Sequence, residues 1–110
     1  MAQLAVEDLL PFCAEQASRV LLLDVREHWE VAFAALQIGN VATLCIPMDE
    51  VPQRLGELDP SQFIVCLCHH GMRSQQVVAF LSRQGYASVY NLAGGIDAWS
   101  LAIDPAVPRY

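Results

Sequence analysis

The sequence predicts an α/β domain with a central parallel sheet covered by helices on both faces. Three observations carry this expectation. The candidate strands, residues 20–23, 41–46, 63–67 and 88–91, are short and largely apolar throughout; strands buried on both faces read this way, without polar alternation. The segments between them carry helical stripes, which gives the strand–helix alternation of parallel sheets. At 110 residues, 55% hydrophobic and 16% charged, the chain is long and apolar enough to bury a core without disulfides or metal.

The elements follow in order. Leu10, Cys13, Ala14 and Ala17 recur at helical spacing, and Pro11 must sit early in that helix or kink it. Val20 to Leu23, ending in Asp24, is the first strand. Residues 27–36 make a short helix carrying Trp29 and Phe33, and residues 41–46 a strand closed by Pro47. Asp49 is placed to cap a helix with Pro52 in its first turn and Val51, Leu55 and Leu58 on one face. Phe63 to Leu67 is the third strand. Val77, Val78 and Leu81, with Ser74 one turn earlier, form the inward stripe of the next helix, and Gly85 is its C-terminal cap. After a last short strand, Gly94-Gly95 opens a final helix carrying Ile96 and Trp99. The expected organisation is one domain over residues 1–110, with its core at about 5–103 and a C-terminal tail at 104–110.

Charge and cysteine usage narrow the function. Six arginines and no lysine stand against twelve acids, for a net charge of −6; a nucleic-acid partner would need a basic face. No apolar run approaches the ~20 residues that span a bilayer. The first eight residues include two acids, Glu7 and Asp8, and no basic residue, unlike a secretory signal. The four cysteines, Cys13, Cys45, Cys66 and Cys68, then read as reduced thiols of a cytoplasmic protein. A monomer is expected.

The richest segment runs Cys68-His69-His70-Gly71-Met72-Arg73-Ser74. A cysteine leaves a buried strand, a one-glycine turn follows, and a helix begins at Arg-Ser. Converging turn amides and a helix N-terminus make an anion cradle, where a thiol is favoured as the reactive thiolate. Ligands of such sheets bind beyond the strands' carboxyl ends, where Cys68 lies. Cys68 is therefore the candidate nucleophile, and His69, His70, Gly71, Met72 and Arg73 the anion-binding loop. Asp24, Arg26 and Ser74 support it. His69 and His70 serve first as loop amides and second as a modest cationic contribution. No metal is expected, because adjacent histidines diverge and the sequence holds no second Cys/His cluster of zinc-site spacing. Cys66, Cys13 and Cys45 are read as packing, and Trp29 and Trp99 as core or pocket wall.

The sequence resembles the rhodanese-like sulfurtransferase family in its single-domain form. The matching pieces, in family order over about residues 5–103, are Leu22-Leu23-Asp24-Val25-Arg26-Glu27, Ile46-Pro47, the Cys68–Ser74 loop, Gly85-Tyr86, Val89-Tyr90-Asn91-Leu92 and Gly94-Gly95-Ile96-Asp97-Ala98-Trp99. The resemblance implies a three-layer fold with a central five-stranded parallel sheet. It also implies a persulfide on Cys68, charged from thiosulfate or a persulfide donor and discharged to a thiol or cyanide, with no cofactor. The partners are then a small anionic sulfur donor and a thiol or cyanide acceptor. A sulfur-relay module with an acceptor protein is the alternative, and a phosphatase or arsenate reductase of the same fold a third. Against the third, Arg73 follows Cys68 by five residues, whereas cysteine phosphatases place their arginine six residues on. The shorter loop suits a terminal sulfur. The family pattern also has a histidine ahead of a Gly-Ala pair before the second strand, where this chain reads Leu36-Gln37-Ile38-Gly39-Asn40-Val41-Ala42.

Overall fold

A computed structural model of the protein describes residues 2–16 and 19–110. It contains β1 (Ala2–Leu4), α1 (Val6–Gln16), β2 (Val20–Asp24), α2 (His28–Phe33), β3 (Ala42–Cys45), β4 (Phe63–Leu67), α3 (Met72–Arg83), β5 (Val89–Leu92) and α4 (Gly95–Ala102). The five strands form one sheet in the order β1-β5-β4-β2-β3, and every neighbouring pair is parallel. The central strand β4 and its neighbour β2 are the most continuously apolar.

Side-chain alternation along these strands splits the core in two. Leu21, Leu23, Ile64 and Cys66 face α3 through Val77, Val78 and Leu81. Val20, Leu22, Val65 and Leu67 face the layer built from α1, α2 and α4, through Leu9, Ala34, Ile96 and Trp99. The result is the expected helix–sheet–helix sandwich. It brings the carboxyl ends of β2 and β4 side by side, with Asp24 opposite Leu67.

Four local readings are corrected. The sheet's edge strand β1 was not among the strands read from the residues; Gln3 pairs with Asn91 of β5, and three residues carry too little pattern to be seen alone. In α1 the buried face is Val6, Leu9 and Cys13, whereas Leu10 is exposed. The helix starts well ahead of the stripe, at Val6, and this shifts its inward face by one residue. Pro11 lies inside it, and Ala17, placed in the same stripe, falls outside the described residues. Residues 48–57 form two short 3-10 turns, not a helix capped by Asp49, and Arg54 adopts a non-helical backbone there. Gly56 within the segment disfavours a continuous α-helix. Finally, of the two tryptophans read as core or pocket wall, Trp99 is core and Trp29 is exposed.

The tightest backbone approach joins α4 to the end of β4. Ile96 N donates to Cys68 O (2.9 Å) and Asp97 N to His69 O (3.1 Å). Gly95, at φ +63°, makes this possible, because an added Cβ would overlap the carbonyl oxygens of both Cys68 and His69. Gly95→Ala is expected to destabilise the fold by more than the ~1–2 kcal/mol of the left-handed backbone alone. The same change at Gly85 has a positive φ but nothing within 4 Å, so it should incur only the backbone part. Urea unfolding of the two variants checks this; equal losses would show that the α4 contact is looser than described.

Candidate active site

Cys68 leaves β4 at the centre of the sheet and is 1% exposed. Its Sγ accepts from Gly71 N at 3.1 Å and from Ser74 N at 3.4 Å. The first belongs to the loop, the second to the opening turn of α3. Gly71, at φ +102°, turns the chain between the two. The thiol thus meets two aimed backbone N–H groups and the positive end of a twelve-residue helix.

Ser74 adds a hydroxyl 3.4 Å from the same sulfur. That hydroxyl has one proton and a 2.5 Å contact with Asn91 Oδ1. The amide orientation is fixed, since Asn91 Nδ2 donates to Gly71 O and to Gln3 Oε1, both at 3.1 Å. The Asn91 oxygen is therefore an acceptor and takes the proton, so the Ser74 oxygen turns a lone pair to the sulfur. Asn91 closes the ring by holding the Gly71 carbonyl.

Arg73 points to the rim. Nη1 and Nη2 bind Glu30 Oε2 and Oε1 at 2.7 and 2.8 Å. Glu30 also accepts from Glu27 N (2.9 Å) and from the Tyr110 hydroxyl (2.9 Å). The Arg73 guanidinium, more than desolvation opposes it, holds the Glu30 carboxyl down at about 2. Glu30 raises the Arg73 pKa in return.

Asp24 and Arg26 form the second brace. Arg26 is fully buried, and Nε and Nη2 bind Asp24 Oδ1 and Oδ2 at 2.9 and 2.7 Å. Burial opposes its charge, but the bonds to Asp24 and Tyr110 outweigh it and the pKa is raised. Its Nη1 reaches the Tyr110 hydroxyl at 3.0 Å.

His69 is stacked between His70 (centroids 4.0 Å apart) and Tyr110 (3.9 Å). Burial, with help from His70, lowers its pKa. The ring is neutral at neutral pH, so His69 supplies backbone groups and not the cationic contribution expected. His70 is exposed, 3.7 Å from Asp97. Donor atoms of His69, His70 and Asp97 lie within 4.8 Å of one another. The stacked imidazoles carry their lone pairs in nearly parallel planes, and Asp97 is already paired with Arg109 at 2.9 Å, which is poor geometry for one shared ion. Met72 projects into solvent. Cys66 is fully buried, and desolvation pushes its thiol up to about 12, unsuited to a thiolate role. The segment that departs from the family pattern lines, with Asp24 and Cys45, a cleft of about 390 Å³.

Three residues escaped the sequence reading. Asn91 had a signal, a lone amide inside the apolar strand Val89–Leu92. Glu30 had a weaker one, an acid four residues after Arg26. Tyr110 had none, since its partners lie 80 and 84 residues away.

The sequence matches the family model of the Rhodanese-like domain over residues 12–102. The chain belongs to the rhodanese-like family. It is 42% identical over 89 residues to Rhodanese-like/PpiC domain-containing protein 12, chloroplastic, of Arabidopsis thaliana, covering 81% of this chain and 30% of that protein, so it spans under a third of that relative. It is 40% identical over 81 residues to a sulfurtransferase of Allochromatium vinosum, covering 74% of this chain and 72% of that one. Among solved structures, a rhodanese-like domain protein from Staphylococcus aureus is similar over 100% of this chain and 99% of its own, with TM-score 0.77 and 27% identity. The five-stranded parallel sheet agrees with membership of that family. No helix among the described residues is long and apolar enough to cross a membrane.

The Glu30 carboxyl titrates far below its ordinary 4.5 in the folded protein. It therefore stabilises the fold at pH values above about 4.5, and that stabilisation fades as pH falls toward about 2. Glu30→Gln should cost on the order of 2–3 kcal/mol at pH 7. The gap between native protein and variant should close between pH 4.5 and 2 in urea unfolding, and a gap independent of pH would contradict the Arg73 pairing.

Proposed function

We propose that this protein is a sulfurtransferase that carries sulfane sulfur on Cys68. The observation that carries the reading is the Cys68 sulfur itself. It stands at the end of the central strand, with Gly71 N and Ser74 N aimed at it at 3.1 and 3.4 Å. In the first step the Cys68 thiolate attacks the outer sulfur of thiosulfate. The S–S bond of the donor breaks, sulfite leaves, and Cys68 becomes a persulfide. In the second, a thiolate or cyanide attacks the terminal sulfur, takes it, and returns the Cys68 thiolate. The result is a two-step displacement with ping-pong kinetics. The loop amides stabilise negative charge on both the thiolate and the terminal sulfur. No redox cofactor or metal enters either step. A persulfide donor enters the same scheme with a thiolate as leaving group.

The Allochromatium relative is a sulfurtransferase by name, which supports sulfur transfer. The Arg73–Glu30 pair supports sulfur over phosphate. A guanidinium neutralised by a carboxylate at 2.7–2.8 Å is not free to bind a dianionic phosphoryl group. Cysteine usage supports work in a reducing, cytoplasmic compartment, where all four thiols stay free.

Incubation with thiosulfate followed by peptide mass spectrometry tests the reading. A mass gain of ~32 Da, one persulfide sulfur, is expected on the Cys68 peptide. Cys68→Ser should take up no sulfur and show no transfer above background, with its circular dichroism unchanged. Sulfur on Cys66 instead, or hydrolysis of an aryl phosphate by the native protein, would overturn the assignment.

A further inference from the structure

We propose that Tyr110 is a specificity-determining residue of the Cys68 site. Its ring is a displaceable cover over the loop, and an acceptor whose thiol sits on a bulky body reaches the sulfur only when that ring leaves. The acceptor half of this proposal rests on the sulfur-transfer reading; the cover itself does not.

Cys68 is almost wholly closed to solvent, yet any displacement at its sulfur needs an approach path. The side chain that follows it, His69, lies under Tyr110, with the two rings 3.9 Å apart and 11° from parallel. The Tyr110 hydroxyl spans the other side of the loop, donating to Glu30 Oε1 and accepting from Arg26 Nη1. Glu30 in turn holds Arg73. One side chain thus touches the loop at its beginning and reaches its far end through a single carboxylate. Trp29 and Phe33 complete the surround, edge-on to the Tyr110 ring at 5.9 and 5.8 Å.

The ring and Val107 pack against the edge of the core, and Val107 O accepts from Ser100 Oγ at 2.6 Å, but two observations make the cover displaceable. The segment from Asp104 to Tyr110 has no helix or strand. Near its end it is held by the Arg109–Asp97 ion pair, with the Arg109 side chain 56% exposed, and exposed pairs hold weakly. The covered state also leaves His69 Nε2 buried without a hydrogen-bond partner, an unfavourable position that exposure to water would relieve. With the ring withdrawn, the indole of Trp29 and the ring of Phe33, already more than half exposed, would border the open loop. They offer an apolar landing for the body of a larger acceptor, whereas cyanide needs none.

The test compares access by size. In the native protein and in Tyr110→Ala, Tyr110→Phe and Arg109→Ala, the rate of Cys68 labelling is measured with iodoacetamide and with a polyethylene-glycol maleimide. The labelled peptide is identified by mass spectrometry. Each bond of the Tyr110 hydroxyl is of a size that shifts an equilibrium roughly three- to tenfold. The bulky-to-small rate ratio should therefore rise about tenfold or more in Tyr110→Ala, and by less in Tyr110→Phe and Arg109→Ala. A purely structural role would move both rates together and leave the ratio unchanged, which overturns the proposal. Should Tyr110→Ala fail to fold, an unchanged ratio in both other variants overturns it equally. Thiosulfate loading of Cys68 is read in the same samples. A raised ratio without sulfur uptake sinks the sulfur-transfer reading and leaves the cover standing. Sulfur uptake with an unchanged ratio does the reverse.

Discussion

The carboxylate of Glu30 ties the site together. It is almost fully buried, where an unpaired charge would be strongly unfavourable. Four donors make it tolerable, two on each oxygen: Arg73 Nη1 and Nη2, Glu27 N and the Tyr110 hydroxyl. The three donor residues come from different parts of the chain. Glu27 N is the start of α2, Arg73 the first turn of α3, and Tyr110 the segment after α4. A short helix with two exposed aromatic residues would have little reason to hold one orientation by packing alone. The buried charge supplies that reason, because only one placement of α2 satisfies it. Arg26 repeats the arrangement one step inward, with Asp24 as its counter-ion and the same Tyr110 hydroxyl as neighbour.

This network decides where positive charge lies around Cys68. In a loop whose arginine is free, a dianion gains a full counter-charge. Here Arg73 is already neutralised, and what faces the sulfur is a pair of backbone N–H groups and a helix terminus. Such partial charges match a singly charged thiolate or persulfide better than a phosphoryl group. The spacing of Cys68 and Arg73 and the pairing of Arg73 with Glu30 are independent observations, and they favour the same chemistry.

How far this was legible in the sequence depends on how local each feature is. β2 and β4 are continuous apolar runs because they lie in the middle of the sheet, so composition alone marks them. The Cys68 loop is legible for a similar reason: its cysteine, its turn glycine and its helix start lie within seven consecutive residues. β1 is invisible because its pairing with β5 is tertiary and its length carries no period. In α1, adjacent Leu9 and Leu10 offered two phases of one stripe, and the choice was settled by Val6 at the helix start. Glu30 and Arg73 are 43 positions apart, and nothing in either local pattern names the other. A buried ion pair between distant helices is a property of the fold, and it can be read only once the fold has placed α2 beside α3.

The cradle also depends on what its carbonyls do. A trans peptide points its C=O and N–H in opposite directions. Ile96 N and Asp97 N draw the Cys68 and His69 carbonyls toward the first turn of α4, which turns the His69 and His70 N–H groups the other way. Asn91 Nδ2 draws the Gly71 carbonyl aside in the same manner. These three carbonyl oxygens, which would repel an anion, are thus engaged elsewhere, while Gly71 N and Ser74 N face the sulfur. This explains the constraint on Gly95: a side chain there would push α4 off the two carbonyls and let them swing back. An anion site made from backbone needs its acceptors restrained as firmly as its donors are aimed. Here α4 and β5 supply that restraint from the opposite side of the loop to α2.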